Sequence, residues 1–219
     1  ERIDRETRFA SDVSHELRTP LTAIRAAIDV LDRRVDDSAR PVLDTLRRQT
    51  ERFERLVLDL LEISRFNAGS TTLAAETVNP SDFVRDLLLR TGHANVPVVV
   101  DASAPARVQF DRRRIDRVLT NLLDNAEHYA NGATRVVVAG TSDALVIDVD
   151  DAGPGIATAE RELVFERFHR GDASRSTSAP GTGLGLAIAA EHCRLHGGRL
   201  PIADSPHGSA RFRVEHPSD

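Results

Sequence analysis

The chain has 219 residues, enough for one large domain or two small ones, with 40% apolar residues and only 4% aromatic. A net charge of −5 gives no sign of a nucleic-acid surface, and a single cysteine, Cys193, excludes an internal disulfide and fits a reducing compartment. No apolar run approaches the roughly 20 residues a membrane helix needs, and nothing at the N-terminus resembles a signal peptide.

Residues 1 to about 35 read as one long helix. Leu17, Leu21, Ile24, Ile28, Leu31 and Val35 recur in alternating steps of four and three, a coiled-coil-like seam that Phe9 and Val13 extend. The pattern starts at the first residue and the chain has no methionine, so the helix is expected to continue from a preceding segment. On its polar side lies Ser14-His15-Glu16-Leu17-Arg18-Thr19-Pro20-Leu21. His15 and Thr19, four apart, share one face. Glu16 can accept a hydrogen bond from Nδ1–H of His15 and leave Nε2 as the free nucleophilic nitrogen. Pro20 is expected to kink the helix about one turn beyond the histidine.

Asp36-Asp37-Ser38 breaks this helix, and Pro41 suits the first turn of the next. From there to Phe66 a second seam runs Leu43, Leu46, Thr50, Phe53, Val57, Leu60, broadened by Leu56 and Ile63. Two amphipathic helices joined by a short turn cannot bury their stripes alone. The economical solution is an intermolecular four-helix bundle, which predicts a homodimer.

Asn67-Ala68-Gly69-Ser70-Thr71-Thr72 is a helix stop and linker. A second module begins near Glu76. Asn79-Pro80-Ser81-Asp82 starts a helix to about Arg90, residues 96–100 and 107–110 read as strands, and Asp111 caps a helix burying Ile115, Val118, Leu119, Leu122, Leu123 and Ala126. Residues 135–139 and 144–150 alternate as a strand pair about Gly140-Thr141-Ser142-Asp143. Residues 184–196 form a helix, on which Cys193 reads as a small buried residue. His192 and His196 lie four apart there; without a third ligand in the sequence they read as surface residues, not a zinc site. Strands at 200–203 and 210–214 close the chain about Pro206-His207-Gly208, and the whole reads as a two-layer α/β sandwich.

Four clusters in this module carry chemistry together. Asn121 and Asn125 share a helix face and offer oxygens to a hard cation or nitrogens to phosphate. Asp151-Ala152-Gly153-Pro154-Gly155 directly follows a strand; its acid can accept from an exocyclic amine such as adenine presents, and its glycines permit close approach. Phe165-Glu166-Arg167-Phe168 precedes residues 171–180, rich in Ser, Ala and Gly, which read as a mobile lid. Gly181-Thr182-Gly183-Leu184-Gly185 opens a helix, where backbone amides bind phosphate without a lysine. That matters, because the chain contains no lysine at all, so neither a Walker P-loop nor a eukaryotic-type protein kinase is present in its usual form.

The octet about His15 resembles the phosphoacceptor box of bacterial sensor histidine kinases. The four later clusters resemble the N, G and F boxes of their ATP-binding domain, a Bergerat fold shared with gyrase, heat-shock chaperone and mismatch-repair ATPases. The resemblance implies a dimerisation and histidine-phosphotransfer hairpin at residues 1–67, a linker at 68–75 and a catalytic ATP-binding domain at 76–219. It makes His15 the phosphoacceptor, Glu16 its activating or orienting group, and Thr19 the residue that positions water for dephosphorylating a response regulator. Asn125 becomes a magnesium ligand, with Asn121 near the phosphates of ATP and Asp151 the adenine reader. Gly153 and Gly155 line the pocket; Phe165 and Arg167 belong to the F box; Gly181, Thr182, Gly183, Leu184 and Gly185 form the hinge and phosphate turn. His128 stands where many relatives place a lysine or arginine, and the turn Pro206-His207-Gly208-Ser209, lacking one usual glycine, is given no ligand role. The implied function is autophosphorylation of His15 by Mg–ATP and transfer to the receiver domain of a response regulator, with phosphatase activity as a second possibility. The parent would be a bacterial inner-membrane protein, held there by the missing N-terminal part, with this portion cytoplasmic. The rivals are an ATPase of the gyrase or chaperone type and a catalytically degenerate dimeric scaffold.

Overall fold

The computed structural model describes residues 17, 19–67, 72–169, 181–206 and 208–217. The chain divides into two units, Glu1–Thr71 and Thr72–Asp219. Among the described residues no helix is long and apolar enough to cross a membrane.

In the first unit, α1 (residues 19–32) and α2 (Arg40–Asn67) are joined by a short turn. Asp36 holds this turn: its carboxylate accepts from the Ser38 hydroxyl and the Ala39 amide at 2.7 and 3.2 Å. Ion pairs Arg25–Glu54 and Asp32–Arg47 show that the helices run antiparallel, since the partner number falls as the first rises. Each seam divides in two. Leu21, Ile28, Leu43, Thr50 and Val57 are buried within the hairpin, while Ile24, Leu31, Leu46, Phe53 and Leu60 remain exposed.

The second unit starts with β1 (Glu76–Val78) and α3 (Pro80–Arg90). The Asn79 side chain caps α3 by accepting from the Ser81 and Asp82 amides, and Pro80 occupies the first turn, where its missing N–H costs nothing. Then come β2 (Val98–Val100), β3 (Val108–Phe110) and α4 (Arg112–Tyr129), capped by Asp111. The hairpin β4 (Ala133–Gly140) and β5 (Ala144–Asp151) follows, then α5 (Gly185–Leu195), β6 (Ile202–Asp204) and β7 (Ala210–Pro217). The main sheet has the order β2-β4-β5-β7-β6; β2 runs parallel to β4 and the other pairs are antiparallel. A separate pair, β1 with β3, places Glu76 opposite Phe110.

Strand alternation separates the two sheet faces. Val136, Val138, Leu145, Ile147, Val149, Phe212 and Val214 point into one core with Phe83, Leu87, Val118, Leu122 and Ala189 from the three helices. Opposite, Asp148 and Asp150 lie beneath Arg135, Arg211 and Arg213; Arg211 reaches both Asp150 oxygens at 2.6 and 2.9 Å and Arg213 both Asp148 oxygens at 2.7 and 2.9 Å. This gives a helix layer on a mixed sheet, the two-layer α/β architecture expected. Cys193 is buried among apolar neighbours, which push its thiol up to about 12. The surface reading of His192 is wrong: it is 2% exposed on the inner side of α5, and His196 is half-buried beside it. A spacing of four puts both rings on one helix face but does not say which face meets the sheet.

Candidate nucleotide site

The site is built where α4, the end of β5 and the start of α5 meet. Asp151 does not follow β5 as expected; it is the strand's last residue, paired with Ala133. That places its carboxylate in the sheet's own hydrogen-bonding. Oδ1 accepts from the Gly153 amide at 3.0 Å and from the Ala210 amide of β7 at 3.2 Å. Burial pushes its carboxyl above the usual carboxylate range, against the two amides that lower it, and neighbouring Asp150 adds to the rise. An Asp that is buried and held through one oxygen keeps its other oxygen for a donor.

Ser209, given no role by its sequence, supports this acid. Its hydroxyl donates to the Asp151 carbonyl oxygen at 2.6 Å and lies 2.7 Å from the Ser205 hydroxyl. The signal missed is the hydroxyl itself, which does the positioning whether or not a glycine is absent from the turn.

On α4, Asn121 is 9% exposed and its Nδ2 has no hydrogen-bond partner. A buried amide nitrogen left unpaired is unusual and marks a place where a ligand oxygen would be welcome. Asn121 faces the first residue of α5: a Cβ on Gly185 would stand 3.5 Å from its Oδ1. Asn125 lies one turn further along α4 and is half-buried, as is His128. Tyr129, which sequence reasoning passed over, closes the group; a Cβ on Gly181 would overlap its hydroxyl.

The turn into α5 is held from both sides. Gly183 takes φ +73°, open to glycine at little cost, and its carbonyl accepts from the Phe168 amide at 2.8 Å. Phe168 itself sits at φ 63°, an uncommon left-handed conformation for an aromatic residue, so this junction stores strain. The Thr182 hydroxyl accepts from the Leu184 amide at 3.3 Å, and Leu184 is fully buried directly before Gly185 opens the helix. Phe165 packs against the core, while Arg167 is exposed and its charge helps hold the Glu191 carboxyl of α5 below its usual range, after the Arg194 hydrogen bond. Gly153 and Gly155 form the turn after Asp151, Gly155 packing toward Gly208.

Asn121, Tyr129 and Phe168 thus each approach the glycine turn closely, while Asp151 stands at the end of β5, bonded to Gly153, where a Cβ would stand 2.8 Å from Ala130 beside Tyr129. Thr19 belongs to the other unit and is exposed on α1. His15 and Glu16 lie outside the described residues, as does the expected lid at 171–180. Among the described residues no cluster of histidine, cysteine and acids could hold a metal ion.

Two family models match the chain: His Kinase A (phospho-acceptor) domain over residues 5–69, and histidine kinase-, DNA gyrase B-, and HSP90-like ATPase over residues 110–219. The sensor histidine kinase MtrB of Mycobacterium tuberculosis is 42% identical over 97% of this chain. The chain spans 39% of the length of that relative. Full-length ShkA in complex with AMPPNP shares the fold, with TM-score 0.77 and 24% identity over 96% of this chain and 45% of its own. So does the histidine kinase ThkA, solved with response regulator protein TrrA, with TM-score 0.66 and 22% identity over 97% of this chain and 61% of that one. The chain belongs to the sensor histidine kinases, with a phospho-acceptor segment followed by an ATPase domain of the histidine kinase, gyrase and HSP90-like type.

Proposed function

We propose that this chain binds ATP in the second unit, transfers its terminal phosphoryl group to His15, and passes that group to an aspartate of a response regulator. The observation that carries the reading is the buried, unpaired Asn121 Nδ2 on α4, on a side chain whose Oδ1 faces the start of α5, together with an acid at the end of β5, Asp151, whose second oxygen is spare. These are the groups a nucleotide needs: donors for phosphate at one end, an acceptor for an exocyclic amine at the other. The amides at the start of α5 add the positive end of a helix dipole, which suits a chain without lysine.

In the proposed reaction Nε2 of neutral His15 attacks the γ-phosphorus in line. An N–P bond forms, the bond to the β–γ bridging oxygen breaks, and ADP leaves with that electron pair. Glu16 would accept the hydrogen bond from Nδ1–H and stabilise the positive charge that develops on the ring. Imidazole is mostly neutral near pH 7, with a reference pKa of about 6.5, so tautomer control matters more than deprotonation. Asn125 would be the magnesium ligand, with Asn121 near the phosphates; bound magnesium neutralises and orients phosphate oxygens. Asp151 would read adenine, with Gly153 and Gly155 lining the pocket. Phe165, Arg167, His128 and the turn Gly181, Thr182, Gly183, Leu184 and Gly185 would close around the phosphates. Thr19 would position water for the phosphatase reaction, in which water attacks the regulator's aspartyl phosphate and inorganic phosphate leaves.

The assignment extends to the domains: residues 1–67 for dimerisation and phosphotransfer, 68–75 as linker, 76–219 for ATP. The exposed half-seams of α1 and α2 support a homodimer through a four-helix bundle. We place the chain on the cytoplasmic side of a bacterial inner-membrane protein, anchored by a part outside this sequence; the support is the family alone.

The test is incubation with γ-labelled Mg–ATP at alkaline pH. The parent chain is expected to gain acid-labile label at His15, and H15Q to lose it while still binding nucleotide. Turnover without any label on His15 would turn the reading toward a gyrase-type ATPase, and no nucleotide binding would turn it toward a scaffold.

A further inference from the structure

The Asp111 carboxylate does more than cap α4. Oδ1 takes the capping bonds, from the Arg113 and Arg114 amides at 3.1 and 3.4 Å. An N-cap requires no more than that. Oδ2 points the other way and accepts from the Ala74 amide at 3.0 Å and from Arg114 Nε at 3.2 Å. Arg114 Nη2 in turn donates to the Thr72 carbonyl oxygen at 3.0 Å. Two polar contacts from one turn of helix therefore grip the stretch through which the chain enters the ATPase unit.

Little else holds that stretch. Residues 72–77 are all exposed, and the largest apolar side chain among them, Leu73, keeps 42% of its surface exposed. The β1–β3 ladder begins only at Glu76, opposite Phe110, and the Asp111 contact extends the pairing by two residues with a side chain instead of a strand. The anchor itself is firm: Asp111 is 5% exposed, and its own amide donates to His196 Nε2 at 3.2 Å, whose Nδ1–H donates to the His192 carbonyl at 2.8 Å. Burial alone would push the Asp111 carboxyl up, yet the Ala74 and Arg114 amides and the Arg114 charge hold it below the usual carboxylate range. It stays ionised, and the clamp stays made.

We propose that Asp111 and Arg114 are positioning residues: they clamp residues 72–74 and so fix the tether between the ATP site and the phosphoacceptor segment. The inference rests on the kinase reading above and deepens it. A tether anchored at a defined point keeps the effective concentration of one reacting group near the other high; a tether free for several more residues samples a larger volume. Neither residue belongs to the nucleotide site, so the clamp acts on transfer to His15 and not on ATP binding.

The test uses the full 219-residue chain, with D111N and R114Q made singly and together. Asparagine is as good a cap as aspartate, so D111N keeps the α4 cap while Oδ2 becomes an amide donor that cannot accept from Ala74. Three quantities are read: amide exchange over residues 72–75, affinity for a non-hydrolysable ATP analogue, and the rate of acid-labile labelling at saturating Mg–ATP. Each single variant is expected to speed exchange over 72–75 by about tenfold or more. Nucleotide affinity stays within about twofold while labelling slows by about tenfold. The double variant is no slower than the worse single one, because both break the same clamp. Faster exchange with unchanged labelling would overturn the positioning role, and so would a fall in nucleotide affinity that accounts for the slower labelling. If the parent itself gains no label, the kinase reading fails and the positioning role with it, while the exchange arm still reports whether the clamp exists.

Discussion

The carboxyl of Asp151 is buried, and that burial raises its pKa despite amide bonds from Gly153 and Ala210. The sign of the consequence is fixed. A carboxyl whose folded pKa exceeds its unfolded value binds more protons when folded, so stability falls as pH rises through that interval. Once ionised, Asp151 carries its charge at the expense of stability, which is reasonable only if the charge is used. D151N keeps an oxygen for both amides but turns the free edge from acceptor to donor. We expect Tm at pH 7 to equal or exceed that of the parent, while ATP affinity falls about ten- to hundredfold, the penalty for an unpaired buried group on each side. Calorimetry with a non-hydrolysable analogue and a thermal melt check both halves. A stable variant with unchanged affinity would remove Asp151 from the adenine site.

At the scale of elements, what could be read in advance followed how local the chemistry is. The caps Asn79 and Asp111 act on amides two and three residues away, so their sequence context was sufficient. The β4–β5 hairpin is equally local. Ser209 is the opposite case, bonded to Asp151 across 58 residues of chain, and nothing near it in sequence announces that contact. The second oxygen of Asp111 escaped notice for the same reason, since its partner Ala74 lies 37 residues back. The helical seams were legible as seams, but periodicity could not say that alternate positions serve two different neighbours. The hairpin covers Leu43, Thr50 and Val57 and leaves Leu46, Phe53 and Leu60, spaced by seven, to solvent. Phe53 is 52% exposed, and a side chain of that size contributes about 1.5–3 kcal/mol when fully buried. We expect the parent chain to sediment as a dimer and F53D to sediment as a monomer with its helix content kept, because the inner seam is untouched. A monomeric parent, or a dimeric F53D, would show that these side chains are covered by something other than a second copy.

For the whole molecule, ionisation ties the ATPase unit together at points outside the candidate nucleotide site. The His196 and His216 rings lie 5.3 Å apart, and His216 also meets Phe110 edge-on at 5.8 Å. Burial lowers the pKa of both rings from the usual 6.5; for His216 the Pro217 carbonyl opposes this and His196 adds to it, and for His196 the His192 carbonyl and Asp111 oppose it while Arg114 and His192 add to it. A histidine with a depressed folded pKa contributes stability that is complete above about 6.5 and declines as pH falls through the folded value. Asp150 behaves in the same sense but lower: burial alone would raise its carboxyl, yet Arg211 and Arg135 hold it down, so its contribution is complete above 3.8 and lost only in stronger acid. Acid unfolding should then have two stages, a first loss of Tm beginning near pH 6.5 and a second below pH 4. In H216F a ring of similar size stays packed on Phe110 but cannot titrate, so the first stage is expected to shrink while the second is unchanged. A Tm flat from neutral to about pH 5 in the parent would contradict the first stage, and an unaltered first stage in H216F would move its origin away from this pair. Because His196 also receives the Asp111 amide, protonating it removes the acceptor behind the clamp. The same first stage should therefore coincide with faster amide exchange over residues 72–75, linking the acid limit of the ATPase unit to the release of the segment it holds.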